Sequence, residues 1–115
     1  MDDSILESIK IILGVDPQYE AFDSEIIMAI NSALMALTQL GLGPQDGFLI
    51  QDKSTTWFDI LKQRKDLESV RSYVGVKARM LFDPPTNSYI MQALNNAATE
   101  LEWRIRTQLE EVANV

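Results

Sequence analysis

Apolar residues recur at steps of three and four along most of this chain, and the breaks between those runs fall where helix caps and stops belong. Ser4-Ile5-Leu6-Glu7 has the form of a capping box, and Ile5, Ile9, Ile12 and Leu13 line one side of the helix it opens, up to Gly14. Asp16-Pro17 then predicts a single turn or a short helical segment. Asp23 is placed to cap a second helix, with Phe22 before it set to staple against Ile27. Ile26, Ile27, Ile30, Ala33, Leu34, Leu37 and Leu40 give that helix a wide apolar face, which Gly41 ends. It is the expected central helix.

Residues 41–56 lose the helical period. Gly41, Gly43, Pro44 and Gly47 surround the β-prone run Phe48-Leu49-Ile50, which predicts an irregular loop holding one brief extended segment. An apolar segment in such a loop either folds back over the core or meets a partner, so Phe48, Leu49 and Ile50 are candidates for contact with a neighbouring subunit or another protein. Thr56 with Asp59 can start a short helix holding Trp57, Phe58, Ile60 and Leu61. Asp66 can cap a longer one through Leu67, Val70, Tyr73, Val74, Lys77, Ala78 and Leu81, which Asp83-Pro84-Pro85 must stop.

Asn87 caps the last helix, whose stripe runs Ile90, Leu94, Ala97, Ala98, Leu101, Ile105, Leu109 and Val112. From Ser88 to Val112 it would extend for about 37 Å, against a diameter of roughly 34 Å for a compact body of this chain length. The C-terminal helix, about 87–113, is therefore expected to extend beyond the body. Its portion from Leu101 onward would then bury its stripe on another subunit or a partner, with Leu101, Trp103, Arg104, Ile105, Arg106 and Leu109 as the candidate interface, since Trp and Arg are enriched at interfaces.

The fold class is thus all-α: a small bundle of about four main helices, an irregular loop at 41–56 and a long C-terminal helix, in one domain over 1–115. The core is expected from residues 1–40 and 66–82, centred on Ile30, Leu34 and Leu37.

Composition narrows the chemistry. There is no Cys and no His, which removes thiolate zinc sites, disulfides, the commonest general base and every Ser-His or Cys-His nucleophile. The acids sit at caps or on polar faces and not as a convergent pair, so no catalytic residue, metal site or cofactor is expected. The apolar runs are too short to span a bilayer, and the Met1-Asp2-Asp3 start lacks a positive n-region, which predicts no membrane contact, no signal peptide and an intracellular origin. Net charge is −7, with nine acids against Lys10 alone in residues 1–52, seven bases against three acids in 53–79, and five acids against two bases beyond. Overall acidity argues against specific DNA binding. An acidic front and a basic middle could instead meet head to tail across subunits.

Three stretches carry a resemblance that covers nearly the whole chain. Ala36-Leu37-Thr38-Gln39-Leu40-Gly41-Leu42-Gly43-Pro44, Leu81-Phe82-Asp83-Pro84-Pro85 and Glu100-Leu101-Glu102-Trp103-Arg104-Ile105 resemble the corresponding segments of small head-tail connector proteins of tailed bacteriophages, also labelled DNA-packaging proteins. The resemblance implies a helical adaptor in the virion, made in the host cytoplasm, that forms a ring with itself under the phage portal. Such an adaptor extends the DNA channel, lets DNA pass without sequence-specific binding, and offers a platform for a further head-completion or tail protein. The residues alone also admit an acidic helical regulator, monomeric or dimeric, that binds one protein through its terminal helix.

Overall fold

The computed structural model describes residues 4–42, 47–61 and 68–113, and among these it contains five helices and no strand. They are α1 (Ile5–Ile12), α2 (Asp23–Gln39), α3 (Trp57–Leu61), α4 (Ser69–Phe82) and α5 (Ser88–Ala113). The expected caps account for most boundaries. The Ser4 hydroxyl accepts from the Glu7 N–H at 3.2 Å, Thr56 and Asp59 cap each other at 2.8 and 3.4 Å, and the side-chain Oδ1 of Asn87 accepts from the N–H groups of Tyr89 and Ile90. Gly14 and Gly41 close α1 and α2 at φ 80° and 108°, backbone geometry that a side chain would strain. The expected cap Asp66, and Leu67 beside it, lie outside the described residues.

α4 is the central element of the packing. It lies against α1, α2 and α5, and its Val70, Tyr73, Val74 and Ala78 are fully buried. From α2 come Ile26, Ile30, Ala33, Leu34 and Leu37, as the period of that helix predicts. The core is nevertheless wider than residues 1–40 and 66–82, because Leu42, Ile50, Trp57, Ile60, Ala98 and Ile105 all join it.

Two further readings need correction. Helix α1 turns Leu6 and Lys10 inward beside Ile5 and Ile9, and leaves Ile12 exposed. On the inward side the Lys10 ammonium reaches Asp23 at 2.7 Å. The second concerns α5. At 26 residues it spans about 39 Å, close to the longest of the molecule's extents, 43 × 34 × 25 Å, which include the helix. The 34 Å estimate treated the body as a sphere. Leu101 and Leu109 pack on the core and Ile105 is 0% exposed, whereas at the other end Tyr89 is 86% exposed. The first turn of α5 is therefore the more exposed, and the stretch Leu101 to Leu109 the more covered.

Candidate interaction surfaces

Lys10 sets the position of the segment that joins α1 to α2. Its Nζ donates to the Pro17 carbonyl at 2.9 Å, to the Tyr19 carbonyl at 2.6 Å and to Asp23 Oδ1 at 2.7 Å, while the residue is only 1% exposed. An ammonium has three hydrogens to give, and all three are used. Asp23 is thereby diverted from the cap role the sequence predicts: α2 begins at Asp23 itself, with Phe22 in the cap position and no side-chain cap bond. Phe22 packs edge-on against Tyr19 and Phe82, with ring centroids 5.6 Å apart in both pairs, instead of stapling to Ile27. The available signal was the isolation of Lys10, the one base among the first 52 residues, on the apolar side of a short helix.

The loop after α2 is held by one side chain. Asn31, half-buried on α2, accepts the Ile50 N–H through Oδ1 at 2.8 Å and donates to the Ile50 carbonyl through Nδ2 at 3.0 Å, so its amide acts as a strand partner would. Ile50 is buried beneath this clamp, Phe48 is half-buried against the core, and Leu49 projects at 58% exposure. No strand forms at 48–50, and the sequence-predicted contact run is divided: two residues fold back and Leu49 faces outward. Further along, Asp52 accepts from both the hydroxyl and the N–H of Ser54, bonds that hold its carboxyl below the usual range. The Trp57 indole donates to Ser8 Oγ at 3.0 Å beneath the Arg71 guanidinium, which lies 5.3 Å from the ring centre. This joins α3 to the start of α1.

The terminal-helix candidates divide in the same way. Leu101, Ile105 and Leu109 face inward, and Leu109 Cδ1 lies 3.9 Å from where a Cβ on Gly41 would stand. Tyr73, buried in α4, donates its hydroxyl to Glu102 Oε2 at 3.2 Å and ties the two helices together. Burial, the Glu102 charge and the bond to it raise the Tyr73 phenol far above its ordinary value. Outward-facing are Trp103, 64% exposed, Arg106, and Arg104 paired with Glu100 at 2.8 Å.

Two exposed apolar features escaped the sequence reading. Met28 and Met35, seven residues apart on α2, stand on the side away from the core, 70% and 57% exposed. Beside Met28 runs a shallow groove lined by Phe22, Glu25, Leu81, Phe82 and Asp83. Tyr89 and Ile90 at the start of α5 form the second.

Among the described residues no group of three or more acids is placed to hold a metal ion. A model of the phage connector protein family matches residues 5–112, almost the whole chain. The chain is a member of the phage connector protein family. No curated protein and no solved structure matches it. As a connector the chain has a structural role in the phage, and its all-helical fold is the one expected from the resemblance. Among the described residues no helix is long and apolar enough to cross a membrane.

Proposed function

We propose that this connector assembles as a ring on the phage portal, extends the DNA channel at the head-tail interface of the virion, and presents a platform to the next head-completion or tail protein. Membership of the connector family over residues 5–112 is the observation that carries this reading. Structural work without catalysis suits a chain that has no His and no Cys. The portal contact falls to the outward side of the second half of α5, where Trp103 supplies an exposed aromatic anchor and Arg104 and Arg106 flank it. Leu101, Ile105 and Leu109 hold that side in place from within. Leu49, raised on the Asn31 clamp, is the contact for the downstream protein.

Passage of DNA without capture is consistent with the electrostatics of the first two helices. Their one base, Lys10, is buried, so these helices and the segment between them present Glu7, Asp16, Glu20 and Glu25, and Lys53 from the following loop stands beside the acids Glu7 and Glu20.

Co-sedimentation with purified portal rings tests the proposal. The wild-type chain should travel with the portal, and Trp103→Asp combined with Arg106→Glu should release it while leaving circular dichroism unchanged, because both residues are exposed. A wild-type chain that stays monomeric and unbound beside portal would support the regulator reading instead.

A further inference from the structure

Charge is missing from two long parts of this acidic chain. There is no Asp, Glu, Lys or Arg from Ile26 to Gln45, nor from Pro84 to Thr99. In a core strand or a membrane span that would need no explanation, but both stretches include helix surface open to solvent. On α2 the open side carries Met28, Ser32 and Met35; on α5 it carries Tyr89, Ala93 and Asn96. Solvated helix faces usually carry charges, and these two carry apolar and neutral polar groups.

We propose that these two faces meet between copies of this chain, the first half of α5 from one copy lying against the outer face of α2 on the next. The inference rests on the ring reading above and names the surfaces that would close it.

The occupant follows from charge. Copies with a net charge of −7 repel one another, and contact between them is least opposed where the surfaces hold few charges of the shared sign. A basic partner would be met by acids, and nucleic acid would be met by bases. A charge-free face suits a partner with the same sign as the chain itself. The two faces also differ from each other and stand on separate helices, each packed against α4. Head-to-tail rings need two such unlike surfaces.

Tyr89 gives the contact its specificity. Its side chain is the most exposed large apolar group described, and its hydroxyl has no partner among the described residues. The groove beside Met28 offers Phe22, Leu81 and Phe82 as walls for the ring and the carboxylates of Glu25 and Asp83 as acceptors for the hydroxyl.

The absence of native cysteine makes a direct test available. Single cysteines replace Met28, Ser32 or Met35 on one side and Tyr89, Ala93 or Asn96 on the other, and the variants are oxidised singly and in mixtures, alone and bound to portal rings. At least one mixed pair should form a disulfide dimer that neither member forms by itself, and a chain carrying both substitutions should give a ladder of covalent oligomers. Met28→Asp in an otherwise native chain should lower self-association at least tenfold with unchanged circular dichroism. Dimers formed by a single variant alone, or undiminished assembly of Met28→Asp, would overturn the inference. Rings that assemble while no mixed pair cross-links would overturn it too and leave the ring reading standing, whereas a native chain that never exceeds a monomer, free or on portal, would overturn both.

Discussion

From Ser88 to Thr99, α5 carries no charged residue and is open to solvent over most of its circumference, while from Glu100 onward it carries charges at close intervals and still supplies Ile105 to the core. Mean polarity would assign burial the other way round. Burial follows the contact with α4: Leu101, Ile105 and Leu109 stand one turn apart and pack on the core, whereas in the earlier turns Ala98 is buried and Met91, Leu94 and Ala97 are half-buried. Charges on the other sides of the second half cost nothing, because that side stays in water.

The comparison can be broken most severely by deleting residues 101–115. The deletion removes the large stripe residues and the acceptor for Tyr73, so the chain should lose its cooperative thermal transition and its helical circular dichroism. Within the intact chain, Ile105→Ala should cost about 2–5 kcal/mol in denaturant melts, the range for large-to-small changes at buried aliphatic sites. Ile90→Ala, in the neutral half, should change stability by less than about 0.5 kcal/mol. Equal costs at the two positions would remove the distinction.

Lys10→Ala comes next in size. It leaves two carbonyls and Asp23 without their shared donor, and should cost about 3 kcal/mol by the measure of broken buried ion pairs. Proteolysis between Gly14 and Phe22 should become correspondingly faster.

The smallest effect sharpens the link between α4 and the charged half of α5. Tyr73→Phe removes the bond to Glu102 and should cost about 1 kcal/mol at neutral pH. Because the fold raises the Tyr73 phenol, its stabilising contribution is complete below the unfolded value near 10 and is lost as pH climbs past it. Native protein should therefore lose stability above about pH 10 more steeply than Tyr73→Phe does, measured as the midpoint of urea unfolding across that window.

Much of this fold was legible in the residues. The helices at Ser4, Thr56 and Asn87 begin where a hydroxyl or amide meets an open N–H, and the stops at Gly14, Gly41 and Asp83-Pro84-Pro85 are local events that need no tertiary knowledge. Illegible were the features that join positions far apart in the chain. Asp23 reads as a cap until Lys10 is seen beside it, and Asn31 reads as a polar residue on the flank of α2 until Ile50 arrives 19 residues later. The candidate contact set was half legible for the same reason: periodicity put Ile105 and Trp103 on neighbouring parts of one helix, but only packing could show that the first is buried and the second is not.

The three bonds of Lys10 also make it a chemical clock. A side-chain nitrogen with every hydrogen engaged and 1% exposure is out of reach of acylating reagents, while exposed lysines are within it. Acylation of Lys10 must wait for the α1–α2 junction to open, so its rate, read by mass spectrometry, times the breathing of that junction. The same measurement made on assembled and free chains would record whether joining a particle slows that breathing.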